Sequence, residues 1–145
     1  MRVFHLADLS IRESAVLPAA LPEHGFVWIA LGRREFEALQ SEVQACLQRL
    51  CGSALVDLHL SDLFNNQLPS YYDYTAQYDL LVFRRLAQGR GDIEVEPTSQ
   101  PADRVPRRGG PPVLHRIDTS PVGFALFDRV LLTVHPTDCA ARDTY

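Results

Sequence analysis

The spacing of hydrophobic positions changes along this chain, and each change of period predicts a different element. Val3, Phe4 and Leu6 predict a short first strand, and Pro18 and Pro22 bracket a turn-like connection into GFVWIAL. Residues 26 to 31 are almost continuously apolar, the pattern of a strand covered on both faces and therefore central in a sheet. From Arg34 to Leu50 the period lengthens. Phe36, Leu39, Val43, Cys46, Leu47 and Leu50 recur at steps of three and four, with Glu35, Glu37, Gln40, Gln44 and Gln48 opposite, which predicts an amphipathic helix. Glu35 and Glu37 in its first turn and Arg49 in its last complement the helix dipole, and Gly52 supplies a stop.

DLHLSDLFNN, residues 57 to 66, predicts a second short helix that packs Leu60, Leu63 and Phe64 and is ended by Asn65, Asn66 and Pro69. In the next stretch, QLPSYYDYTAQYDLLVF, strand alternation places Tyr72, Tyr74, Ala76, Tyr78, Leu80 and Val82 on one face. Asp73, Thr75, Gln77 and Asp79 take the other. The apolar run Leu80 to Phe83 predicts that a strand from Tyr78 to Leu86 becomes covered on both faces as it goes inward. VGFALF and VLLTVH predict a hairpin about Asp128-Arg129, although Asp-Arg is poorer turn chemistry than Asp-Gly. Pro136 stops the second strand, and Thr137 is placed to cap a helix through TDCAARDTY that is too short to be stable alone, as in a piece of a longer protein.

Between these elements the composition shifts. Residues 87 to 121 hold six of the ten prolines and four of the eight glycines, so this insert is expected to be a largely mobile loop, with short edge strands at Ile93 to Val95 and Val113 to Ile117. Strands and helices mix without strict alternation, and a hairpin closes the chain. The expected fold is a single α/β domain over residues 1–145, a mixed β-sheet flanked by helices as an α/β/α sandwich.

Composition narrows the function classes. At 145 residues and 46% apolar content the chain is one globular domain, and a net charge of −4 with pI near 5.7 gives it no general attraction for nucleic acid. Every basic residue is arginine, so no phosphate-binding lysine loop exists, and no G-x-S-x-G nucleophile elbow occurs. Cys46, Cys51 and Cys139 form no C-x-x-C pair, which favours a reducing, cytoplasmic setting. Charges at Arg2, Asp8, Arg12 and Glu13 interrupt the N-terminus before an export signal could form, and no run approaches the roughly 18 apolar residues of a membrane span. The five histidines are too dispersed for zinc-type spacing.

The remaining candidate chemistry lies in residues 57 to 79. Asp57, His59 and Asp62 supply metal-ligand types, with His59 and Asp62 one helical turn apart on the same face, and a carboxylate-weighted set favours a hard cation such as Mg²⁺. The plainer reading is that Asp57 caps the helix while the other two are solvated. The four tyrosines and two carboxylates between residues 71 and 79 fit packing with tethered hydroxyls better than a catalytic acid. Two alternatives stand beside it: a small enzyme using Asp62, Asp73 and the tyrosine cluster, and a stand-alone soluble binding module.

Taken in order, GFVWIAL, an amphipathic helix, DLHLSDLFNNQLPSYYDYTAQYDLLVFRRL, a variable polar insert and VGFALFDRVLLTVHP resemble the cytoplasmic N-terminal domain of the CorA family of divalent-cation transporters. Trp28, His59, Asp62, Asn65, Pro69, Tyr72, Asp73, Tyr74 and the LLTVH of residues 131 to 135 take the places of the family's signature positions. Ser61 stands where the family usually has Glu, Leu60 takes the Pro site after His59, and Leu68 and Ser70 flank Pro69 where Arg and Lys are common. The family's pore-mouth Gly-Met-Asn is absent, since Met1 is the only methionine. The resemblance implies a soluble, non-enzymatic regulatory or scaffold domain at the cytoplasmic face of the cell membrane. It also implies stalk and membrane spans in a full-length homopentamer, and regulatory Mg²⁺ held between subunits, with Asp62 as the matching carboxylate.

Overall fold

A computed structural model of the protein describes residues 1–86 and 119–136. Among these residues the chain runs β1 (Arg2–Ala7), β2 (Ser10–Ser14), β3 (Phe26–Gly32), α1 (Arg33–Ala38), α2 (Gln40–Cys51), α3 (Asp57–Phe64), β4 (Tyr71–Tyr74), β5 (Tyr78–Leu86), β6 (Thr119–Phe127) and β7 (Val130–His135). The strands form one seven-stranded sheet in the order β2-β1-β3-β7-β6-β5-β4. Neighbours pair antiparallel except β3 and β7, which run parallel from Val27 opposite Val130 to Gly32 opposite His135 and make the sheet mixed. The α/β expectation is met in this form. The residues that would carry the expected edge strands at 93–95 and 113–117 and the helix after Thr137 lie outside the described residues, as does most of the expected insert. Its last three residues, Thr119 to Pro121, are strand and open β6.

The helices cover one face of the sheet. Phe36, Val43, Cys46, Leu47, Leu60 and Leu63 from α1 to α3 pack on Val3, Val27, Ile29, Leu31, Leu80, Ala125, Leu132 and Val134, all buried. Burying such side chains contributes about 1.5–3 kcal/mol each, so this layer supplies most of the driving force for folding. Gly123 lets α3 approach β6 closely: a Cβ there would lie 2.1 Å from Leu63 Cδ2. On the opposite face no helix packs among the described residues. Trp28, Phe124 and Leu131 are half-buried, while Leu81 is 43%, Leu126 52% and Phe83 55% exposed. The expectation that β5 is covered on both faces is therefore corrected. A continuous apolar run reports the residues, and only neighbouring elements decide whether each face is covered.

The long helix expected from Arg34 to Leu50 divides at Leu39, whose φ of −104° and ψ of 13° lie just off the helical region. Hydrogen bonds run on through the break, from Leu39 N–H to Glu35 and from Val43 N–H to Leu39, so the apolar period survives a bend. Glu35 at the third position of α1 accepts the Gly32 N–H at 2.8 Å, and Gly52 ends α2 in the left-handed conformation, as its sequence position predicts. Strand β2 was not visible in the pattern. Its turn uses Asp8 and Leu9, both at positive φ, where Asn-Gly would have signalled a hairpin. Arg129 holds the preceding connection by donating to the carbonyls of Pro22, Glu23 and Gly25.

Candidate functional site

The residues singled out between 57 and 79 meet where α3 crosses the β4–β5 hairpin. Thr75 closes that hairpin. Its N–H bonds Tyr78 O at 2.8 Å, and its Oγ1 accepts the N–H groups of Gln77 and Tyr78 at 3.1 and 3.0 Å. The turn resets the strand phase, because cross-strand partners share a face: Tyr71 pairs with Val82 and Asp73 with Leu80. Tyr71 and Asp73 thus face the helices, while Tyr72 and Tyr74 lie on the other side, exposed. This overturns the single alternation read through residues 72 to 82, which grouped Tyr72 and Tyr74 with Tyr78 and put Asp73 opposite.

His59, only 3% exposed, is gripped from both sides: its Nδ1 is 2.8 Å from the Tyr78 hydroxyl and its Nε2 3.0 Å from Asp73 Oδ2. The Tyr78 hydroxyl also accepts the Val56 N–H at 3.0 Å. One neutral tautomer satisfies every group. We assign the proton to Nε2, which donates to Asp73, leaving Nδ1 to accept the Tyr78 O–H. Donation from His59, and then from the Tyr74 N–H, holds the Asp73 carboxyl below its usual range, while burial pushes the Tyr78 phenol up. One turn along α3, Asp62 Oδ2 accepts the Tyr71 hydroxyl at 2.5 Å. Burial first, and then Asp62, push the Tyr71 phenol well above the ordinary tyrosine range.

The structure brings together His59, Asp62 and Asp73 with Tyr71 and Tyr78, two residues on α3 clasped by two on β4 and one on β5. Asp57 stands apart, exposed in the first turn of α3. Among the described residues no group of three or more His, Cys, Asp or Glu side chains could hold a metal ion. Sequence reasoning placed Tyr71 and Tyr78 in the right stretch but not as partners of α3. The available signal was His59 and Asp62 three apart on a helix facing Tyr71 and Asp73 two apart on a strand. The order hydroxyl, imidazole, carboxylate is that of a proton relay, yet Tyr78 at its end is buried and its hydroxyl is already engaged twice. As built, the cluster locks α3 to the hairpin.

The other signature positions are also structural. Trp28 Nε1–H donates to Thr133 Oγ1 at 2.9 Å, and that oxygen lies 2.8 Å from His135 Nε2, which ties the GFVWIAL strand to LLTVH. Asn65 Oδ1 accepts the Gln67 N–H at 2.9 Å as the chain leaves α3, and exposed Pro69 follows in that loop. Tyr72 donates to Asp79 Oδ1 at 3.0 Å and stacks on Tyr74 with ring centroids 6.3 Å apart.

No family model matches the chain, and no curated protein matches it by sequence. Its fold does have solved counterparts. The complete structure of the CorA magnesium transporter from Methanocaldococcus jannaschii is similar over 98% of this chain and 34% of its own, with a TM-score of 0.55 and 10% identity. The structure of the full-length CmaX protein is similar over 98% of this chain and 36% of its own, with a TM-score of 0.50 and 17% identity. The chain has the CorA-like fold that its motif order implied. It spans about a third of the length of both similar structures. Among the described residues no helix is long and apolar enough to cross a membrane.

Proposed function

We propose that this chain serves as the soluble regulatory or scaffold domain of a CorA-type transporter of magnesium or related divalent cations, on the cytoplasmic side of the membrane. In this reading the stalk and membrane spans belong to the full-length protein, which assembles as a homopentamer, and a second helical layer completes the α/β/α sandwich. The observation that carries it is the fold likeness over 98% of the chain to about a third of a magnesium transporter. In the locked cluster, Asp62 spends one oxygen on Tyr71, and among the described residues Oδ1 has no hydrogen bond. That oxygen is the proposed contribution of this chain to a Mg²⁺ bridging two copies. A cation shifts a closed state only by binding it better than the open one, and one carboxylate per copy makes that difference small.

Two measurements test the reading. A full reading frame with two apolar spans and Gly-Met-Asn beyond Tyr145 is expected, and a frame without them overturns the transporter role. For the cation, millimolar Mg²⁺ is expected to raise the melting temperature or favour association of the wild type, and Asp62→Ala to remove the effect. A response that survives Asp62→Ala places the cation elsewhere, and no response in the wild type leaves the domain as a scaffold.

A further inference from the structure

Two arginines converge on the loop after α3, and among the described residues no carboxylate pairs with either. Arg33, at the start of α1, donates to Leu63 O at 3.4 Å, Asn66 Oδ1 at 2.5 Å and Pro121 O at 3.0 Å. Arg84, in β5, donates to Thr119 Oγ1 at 2.9 Å and O at 2.7 Å, and to the carbonyls of Asn66 and Leu68 at 3.0 and 2.9 Å. Every acceptor is neutral. Both guanidinium groups touch Asn66, and both reach the first residues of β6. Their proximity has an electrostatic cost: burial, and then the charge of Arg84, lower the proton affinity of Arg33.

We propose that Arg33 and Arg84 form a receptor for a phosphate-type dianion. A guanidinium carries five N–H groups. Among the described residues the bonds above occupy three on Arg33 and four on Arg84, leaving one N–H on each Nη of Arg33 and one on Nη2 of Arg84. The carbonyl contacts fix both planar forks before any ligand arrives, so little side-chain entropy remains to be lost on binding. Both side chains are partly exposed, so the free donors are within reach of solvent. A phosphate monoester offers nearly two negative charges and several acceptor oxygens, matching two cations and their leftover donors, whereas a carboxylate offers one charge. Arg49 and Arg129 hold carbonyls in the same manner, but each alone, and they serve as controls.

The test is melting of the 145-residue chain in inorganic phosphate against chloride of equal ionic strength, with Arg33→Gln and Arg49→Gln beside the wild type. Phosphate is expected to raise the wild-type and Arg49→Gln melting temperatures selectively. Arg33→Gln is expected to weaken the apparent phosphate affinity roughly tenfold or more, the worth of a charge-assisted bond. In the unmodified protein, phosphate is expected to shift the amide resonances of Asn66, Leu68 and Thr119, a readout that does not depend on any variant folding. A second arm uses phosphatidylcholine vesicles with and without phosphatidic acid. Binding of phosphate in solution supports the free anion as the source. Sedimentation only with phosphatidic acid vesicles, lost in Arg33→Gln, supports a lipid headgroup. The proposal is overturned if neither phosphate nor phosphatidic acid is preferred over its control, if Arg33→Gln responds like the wild type, or if the shifted amides lie elsewhere.

Discussion

Replacing Tyr78 by Phe removes one oxygen from the centre of the α3–hairpin lock, and its cost can be worked from the bonds that oxygen makes. The hydroxyl accepts the Val56 N–H, in a part-buried position, and donates to His59 Nδ1 in a buried one. Leaving the buried His59 Nδ1 without a partner, while water can reach the Val56 N–H, costs about 1–3 kcal/mol, a large share of a typical stability of roughly 5–15 kcal/mol. His59→Ala is expected to cost more, about 3 kcal/mol, because it opens a cavity as well as stranding the Tyr78 O–H. In the His59→Ala background, Tyr78→Phe then strands only the Val56 N–H. The two costs should therefore fall short of additivity by about 1 kcal/mol, within the range for contacting residues. Urea unfolding followed by the fluorescence of Trp28, the sole tryptophan, and by circular dichroism gives all four stabilities of the cycle. Additivity within about 0.3 kcal/mol would show that the imidazole and phenol are neighbours without a shared hydrogen bond, and the lock would be refuted.

Gly123→Ala puts a methyl group 2.1 Å from Leu63 Cδ2, so Leu63 must shift, and a loss of about 1–3 kcal/mol in the same urea assay is expected, where a change under about 0.5 kcal/mol would mean that α3 does not dock this closely. Tyr71 and Tyr78 are held protonated in the folded state, so their contribution to stability is complete below the ordinary phenol pKa of about 10 and is lost as pH rises through their folded values. Ultraviolet titration should show them ionising above the ordinary phenol range, together with alkaline unfolding. Ionisation of all the tyrosines in one step near pH 10 would count against both burials.

The sheet core was legible because burial on one face imposes a period. Phe36, Val43, Cys46 and Leu47 could be read directly from that period, β3 only as a continuous apolar run with no face assigned, and the β6–β7 hairpin from its two apolar strands. What escaped detection depended on turn geometry. β2 follows a turn whose positive φ values fall on Asp8 and Leu9, and β4 is separated from β5 by a Thr75-centred turn that carries no glycine. Missing that second turn kept the strand phase running and sent Asp73 to the wrong face. The consequence reached the candidate site, since with Asp73 turned away His59 has no partner and appears as a solvated ligand.

Five of the positions that carried the family resemblance, Trp28, His59, Asp73, Thr133 and His135, fall into two hydrogen-bonded groups on opposite faces of the sheet. Trp28, Thr133 and His135 tie β3 to β7 on one face, and His59, Asp73 and Tyr78 tie α3 to the β4–β5 hairpin on the other. Half-buried or buried polar side chains must find partners, and a partner lost strands the one that remains, so such groups constrain each other's identity more tightly than apolar neighbours, which tolerate exchange at similar volume. The same argument separates the signature from the function. Motif residues that spend every polar atom on one another keep little capacity to bind anything else, so recognition by this domain is better sought at groups with capacity left over among the described residues: Oδ1 of Asp62, the one motif carboxylate only half used, and the remaining donors of Arg33 and Arg84.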